Sequence, residues 1–305
     1  MAIARSPSKL TLPQTNPGVT TVVDYLIGKF PQIGAQVWRQ RAIEGKLHWH
    51  DGTLITPASA YRPKQRVYYY REVEQEPVVP FSETVLFADA DILLAYKPAF
   101  LPVTPGGRYV NECLQNRLRL KTGVENLQAI HRIDRATSGL VLFSLNPETC
   151  HLYHQLFASR QVHKTYQAIV KIDGDCDKPI EGQTWEITNR LVPGDPRFLM
   201  QVCDGEANSH SRVRCIERLG ERALFELTPI TGKTHQLRVH MQALGWPILH
   251  DRYYPQLQPK SADNYAQPLQ LLAQQLSFID PVTSASRVFH CGYRLNLASE
   301  QFEMV

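Results

Sequence analysis

The sequence predicts an α+β protein made of a small and a large domain, and three observations support this. At 305 residues the chain is about twice the size of one ordinary domain. Strand and helix patterns alternate along its larger part without the repeating strand–helix–strand rhythm of a parallel α/β fold. A run of acids, Glu72, Glu74 and Glu76, followed by Pro77 and Pro80, interrupts a basic segment and marks a boundary near residues 72–82.

Composition narrows the class further. Hydrophobic residues are 43% and charged residues 20% of the chain, which excludes a wholly disordered, collagenous or coiled-coil protein. Apolar runs such as Gly139–Leu145 are far shorter than a membrane span requires. The net charge is only +4, so its distribution matters more than its size. The six cysteines, Cys113, Cys150, Cys176, Cys203, Cys215 and Cys291, form no CxxC pair. Together with the lack of a secretory apolar segment, this predicts reduced thiols and a cytoplasmic location.

Taken in order, residues 1–18 are rich in Ser, Pro, Thr and Asn and read as a disordered tail. Val19, Val22, Val23, Leu26 and Phe30 then recur at helical spacing. A second short helix is predicted over residues 34–44, with Gly45 ending it. Strands follow at 47–50 and 53–55 around an Asp51-Gly52 turn, and again at 65–70. From Lys29 to Arg71 there are eight basic residues against Glu44 and Asp51 alone, a local charge of +6. Arg39, Arg41 and Lys64 are the candidate phosphate contacts in this stretch.

In the larger part, residues 91–96, 139–145, 166–172 and 223–227 read as strands. Asn146-Pro147-Glu148 reads as a helix start, with Leu152, Leu156 and Phe157 as its buried stripe. The densest polar cluster, His131-Arg132-Ile133-Asp134-Arg135-Ala136-Thr137-Ser138-Gly139, directly precedes an apolar strand. A carboxylate flanked by cations is favoured in its ionised form, the state a nucleophile or base needs. A salt-bridged loop that fixes a strand start accounts for the same residues equally well.

A second cluster spans residues 227–240. Its Gly232-Lys233-Thr234 is not a P-loop, because Leu227 stands where that signature requires glycine. Thr234 is expected to cap a helix whose buried face is Leu237, Met241 and Leu244 and whose stop is Gly245. The positive end of that helix would face Gly232-Lys233, a natural place for a phosphate. His235 and His240 are five apart, not the four that set two metal ligands on one helix face, so no metal is expected.

Four segments, in order, resemble the motifs of the RluA-type RNA pseudouridine synthases: "YKPAFLPVTPGG" (96–107), "HRIDRATSGL" (131–140), "HKTYQAIV" (163–170) and "TGKTHQLRVHMQALGWPILHD" (231–251). The chain departs from the family pattern at Ile133, Trp246, His250 and Leu272, where Leu, His, Gly and His are usual. The resemblance implies a twisted, mainly antiparallel sheet with flanking helices over residues 81–305. It implies Asp134 as the nucleophile on the target uridine, Arg238 as its ion-pair partner, and Tyr166 stacked on the flipped base and assisting proton transfer. Leu237 would pack on the other side of the base, and Arg132 would fill the gap left in the RNA. His131, Lys233 and Thr234 complete the expected substrate contacts.

Residues 19–71 resemble an S4-type RNA-binding module, on the helix pair, the Ile43–Leu47 turn and the basic closing strand, with residues 72–80 as linker. The implied protein is a monomer that acts on structured RNA, ribosomal RNA ahead of transfer RNA, with no cofactor. The alternative is a non-catalytic S4-type RNA-binding protein, which would lack the Asp, Tyr or Arg of the motifs. A metal-dependent hydrolase is disfavoured, because the eleven histidines show no ligand spacing.

Overall fold

A computed structural model describes residues 1–172 and 179–304, so Cys176 lies outside the described residues. The chain divides into two compact units: Met1–Pro77 with Gly106–Asn111, and Val78–Pro105 with Glu112–Val305.

The first unit contains β1 (Ala2–Ile3), β2 (Ser8–Thr11), α1 (Val22–Lys29), α2 (Ala35–Ile43), β3 (Leu47–Trp49), β4 (Arg66–Tyr69) and β5 (Glu72–Val73). Helix α1 starts where the Thr21 hydroxyl accepts the Asp24 N–H at 3.0 Å. It buries Val22, Val23 and Leu26 against the fully buried Trp38 of α2 and against Leu47, Trp49 and Val67. Gly45 leaves α2 at φ +70°, the left-handed conformation that glycine adopts without strain.

Three expectations need correction here. Residues 1–18 are not wholly a loose tail: β2 pairs with β4 from Ser8↔Tyr69 to Thr11↔Arg66, which places Leu10 on the core side. The segment 72–80 begins with a strand, since β5 pairs with β1. Arg41 is no free phosphate contact: it is buried, and its Nε lies 3.0 Å from Glu72, which Lys46 also holds. Glu72 therefore neutralises part of the local charge, whereas Arg39 and Lys64 are exposed.

The second unit contains β6 (Thr84–Ala88), β7 (Ile92–Lys97), α3 (Leu114–Thr122), β8 (Gln128–Ala129), β9 (Ser138–Ser144), α4 (Cys150–Ala158) and β10 (His163–Lys171). It continues with β11 (Thr184–Pro193), β12 (Met200–Cys203), β13 (Ser209–Leu219), β14 (Arg222–Pro229), α5 (Gln236–Ala243), β15 (Leu271–Ile279) and β16 (Ser286–His290), and ends in the hairpin β17 (Tyr293–Asn296) and β18 (Gln301–Met304). The main sheet runs β12-β11-β13-β14-β10-β15-β9-β7-β6, with β16 beside β15 and β8 beside β9. Its pairings are antiparallel except for a two-residue parallel seam, Leu272↔Ser138 and Ala273↔Gly139. The expected mainly antiparallel sheet is therefore present.

Side-chain alternation along β10 separates two cores. Ile169 faces a cluster covered by Tyr153 and Leu156 of α4. Ala168 and Val170 face a cluster covered by Leu237 and Met241 of α5. The start of α4 lies later than Asn146-Pro147 suggests: Asn146 accepts the Glu148 N–H in a tight turn, and Thr149 precedes the first helical residue. Its buried face is Cys150, Tyr153 and Leu156, rather than Leu152 and Phe157.

One cross-strand row organises the unit: Lys97↔Gly139↔Ala273↔Tyr166↔Leu227. The strands approach so closely that a Cβ on Gly139 would lie 2.2 Å from the Ala273 carbonyl oxygen, and Gly139 itself has φ +117°. Gly139→Ala should therefore destabilise the second unit by about 3 kcal/mol or more, combining backbone overlap with a disfavoured φ. Denaturant unfolding of the purified variant checks this, and wild-type stability would disprove the close approach.

Candidate active site

Asp134 sits in the turn that leads into β9, where the Thr137 N–H donates to its backbone carbonyl at 3.1 Å. The turn is anchored from β7. Lys97, fully buried, gives its three ammonium hydrogens to the carbonyls of Pro98 (2.8 Å), Leu101 (2.7 Å) and Arg135 (3.1 Å). Burial, and then the charge of Arg135, push the Lys97 pKa well below its usual value. Arg135 points away from Asp134 and forms a two-pronged ion pair with Asp263, at 2.9 and 2.8 Å. Arg132 is exposed and has no ion-pair partner among the described residues.

The cation that meets Asp134 comes from α5. Arg238 Nη1 is 3.2 Å from Asp134 Oδ2, while its Nε and Nη2 grip both oxygens of Asp251 at 2.7 Å. Arg238 and Asp251 are almost wholly buried, and the Asp134 side chain is 28% exposed. The backbone N–H groups of Tyr253 and Tyr254 donate to Asp251 Oδ1 as well. The Tyr253 and Tyr254 rings cover the guanidinium at 4.8 and 5.3 Å. The two carboxylates hold the Arg238 pKa above its already high value against the opposing effect of burial.

His235 Nε2 lies 3.9 Å from the same Asp134 oxygen. Its Nδ1 is 2.9 Å from the Tyr254 hydroxyl, which already accepts the Met200 N–H at 2.8 Å. Burial pushes the His235 pKa down, so the ring is neutral at pH 7. Among the described residues Asp134 Oδ1 has no hydrogen-bond partner, so one carboxylate oxygen is held and the other is free.

Tyr166 directly follows a register shift between β10 and β15 at Thr165/Tyr166. Its ring packs on the cluster that contains Leu237, whose side chain is buried. Burial, and then the charge of Asp134, push the phenol pKa up, so the hydroxyl keeps its proton. A protonated phenol on an apolar cluster thus lies within electrostatic reach of the Asp134 carboxylate.

Other expected contacts lie differently. Thr234 does not cap α5; His235 occupies that position at φ +53°, and the turn is locked by the buried Gln236 side chain, which accepts from Lys233 N–H (3.0 Å) and Thr231 hydroxyl (2.7 Å). The Lys233 N–H is therefore not free for a phosphate, although the Lys233 and Thr234 side chains are exposed. His131 turns inward, with its Nε2 accepting the Leu142 N–H at 3.1 Å and its ring stacked on Phe157 at 4.5 Å. It supports β9 and does not join Asp134. His240, buried against Ser209 and Asn189, does not converge with His235.

Lys97, His235, Gln236, Asp251 and Tyr254 are the site residues that motif reading left without a role. His250 occupies the family's usual glycine position at φ +62°, held by the Pro268 carbonyl and Glu300. Leu272 and Trp246 are both core residues, and Trp246 stacks on Phe225.

Residues 91–243 match the family model described as RNA pseudouridylate synthase. Over 216 residues the chain is 32% identical to the dual-specificity RNA pseudouridine synthase RluA of Vibrio vulnificus, covering 67% of this chain and 80% of that one. It is 27% identical over 233 residues to an uncharacterised RNA pseudouridine synthase of Synechocystis sp., covering 76% and 79%. Among solved structures, human RNA pseudouridylate synthase domain containing 1 shares the fold, with a TM-score of 0.59 at 20% identity over 76% of this chain and 93% of that one. The chain belongs to the RluA-type RNA pseudouridine synthases, which are isomerases.

A pH dependence follows from His131, whose pKa burial lowers to about 3. The unfolded chain binds this proton near pH 6.5 and the folded chain does not, so stability falls as pH drops from about 6.5 towards 3. Replacing His131 with Gln, whose carbonyl can still accept the Leu142 N–H, should flatten that part of the stability–pH curve. Urea unfolding at pH 4 to 7 measures it, and identical slopes would remove His131 as the cause.

Proposed function

We propose that the protein converts specific uridines of structured RNA to pseudouridine, with Asp134 as the nucleophile. Ribosomal RNA is the first candidate substrate and transfer RNA the second. The observation that carries the reading is the half-held carboxylate: one Asp134 oxygen on Arg238, the other unpartnered among the described residues, with its charge felt at the Tyr166 phenol. Breaking the N1–C1′ glycosidic bond develops positive charge on the sugar, which an ionised carboxylate stabilises or captures. The detached uracil turns and re-bonds through C5, losing the C5 hydrogen while N1 gains one, so the product is an isomer of the substrate. Leu237 and Tyr166 would hold the planar base during that turn, and Tyr166, with its proton retained, would donate rather than accept. Arg132, exposed at the loop, would occupy the space the flipped nucleotide leaves.

A carbodiimide-based pseudouridine map of total RNA, from a deletion strain and its complemented control, identifies the target. Asp134→Asn should lower turnover at that site by roughly three orders of magnitude, with RNA affinity kept. Turnover above a few per cent of wild type would take the nucleophile role away from Asp134.

The first unit is assigned to RNA affinity as an S4-like module, supported by its exposed cations Arg39 and Lys64. Arg39→Gln with Lys64→Gln should raise KM and flatten the salt dependence of binding, by about 0.7–0.9 in log–log slope for each phosphate no longer neutralised. Unchanged slopes in titrations against salt would make the basic face a solvated surface only.

A further inference from the structure

A pocket of about 380 Å³ lies in the second unit between the tip of the β11–β12 hairpin and α5. Leu199, Met200 and Val239 supply apolar wall, and Tyr253 and Tyr254 form the side towards the catalytic carboxylate. Its size is at the small end of ligand sites, suited to one planar heterocycle rather than a larger cofactor. Two lining side-chain amides, those of Gln201 and Gln242, have no hydrogen-bond partner among the described residues. Asp195 also lines the pocket, which disfavours an anionic occupant.

The hairpin tip carries two further exposed groups. Phe198 is half exposed, and its ring lies 5.4 Å from that of Tyr253. Arg197 is exposed, with no ion-pair partner among the described residues. Tyr253 and Tyr254 also cover the Arg238 guanidinium that holds Asp134, so one layer of aromatic side chains lies between the pocket and that ion pair. The hairpin is fixed in place by the bond from Met200 N–H to the Tyr254 hydroxyl.

We propose that this pocket receives an unpaired nucleobase flanking the target uridine, held against Tyr253, with the exposed Phe198 ring beside Tyr253 covering the base from outside the lining and Gln201 and Gln242 reading its edge. The inference rests on the proposed uridine isomerisation. Aromatic walls accept the face of any base, whereas unpaired amides discriminate among base edges. Arg197 is placed to meet the phosphate that accompanies such a nucleotide. Target choice would then depend on a second nucleotide as well as on the uridine.

The test uses the full-length protein and a synthetic RNA fragment carrying the mapped uridine. Phe198→Ala and Gln242→Leu should each lower kcat/KM about tenfold, mostly through KM, while Phe198→Trp retains activity. Replacing flanking nucleotides one by one with abasic residues should reveal one position whose loss costs wild type about tenfold and costs Phe198→Ala nothing further. Thermal unfolding shows that the variants remain folded. Abasic losses equally large in wild type and both variants, or no sensitive flanking position, would overturn the inference while leaving uridine isomerisation intact. Absence of pseudouridine formation by wild type would remove the reading itself, and this inference with it.

Discussion

Arg238 is a cation in a place that would be hostile to it without two carboxylates. Taking a guanidinium out of water is repaid only when its donors are matched by well-placed acceptors. Asp251 supplies a bidentate match from the far end of the same motif, and its Oδ1 also accepts two backbone N–H groups. That leaves a single Nη for Asp134. The division of labour is chemically useful, because the buried pair sets the position of the guanidinium while the second carboxylate remains partly solvated. Were Asp134 the sole partner, both of its oxygens would be drawn towards the interior.

The surrounding loops serve this same geometry. Lys97 binds the entry to the first motif and the carbonyl of Arg135 into one rigid turn, and Gln236 does the same for the turn that begins α5. Both use neutral carbonyl or amide partners in places where water is excluded, which makes each bond costly to leave unmade. Both turns are thereby held in one arrangement before any ligand arrives.

Much of this is legible from residue order. The strands read at residues 91–96, 139–145 and 166–172 overlap those at Ile92–Lys97, Ser138–Ser144 and His163–Lys171, and the four motifs point to Asp134, Tyr166, Leu237 and Arg238 together. What residue order does not reveal is partnership across long separations. Asp134 is flanked in sequence by Arg132, Arg135 and His131, yet none of them pairs with it; its cation lies 104 residues onward. Arg135 is taken by Asp263, and His131 by a backbone amide of β9. Arg41 likewise resembles the surface cations around it, and only the fold brings Glu72 beside it. The strand within residues 1–18 is hidden for a related reason. Leu10 and Leu12 are too few to show a period, and only the empty edge of β4 makes a strand of that segment.

The two-residue parallel seam has a consequence for how the enzyme is made. Strands β6 to β9 neighbour one another closely along the chain, as do β10, β11, β13 and β14, but β15 meets β9 only after more than a hundred intervening residues. Contacts of such sequence separation incur their loop-closure entropy before they return any stabilisation, and they form late. Asp134 lies at the end of one half and Arg238 in the other. During synthesis the half that carries Asp134 therefore emerges well before Arg238, and the β9–β15 seam that joins the two halves is completed later still. The Asp134–Arg238 pair is thus among the last features the nascent chain acquires.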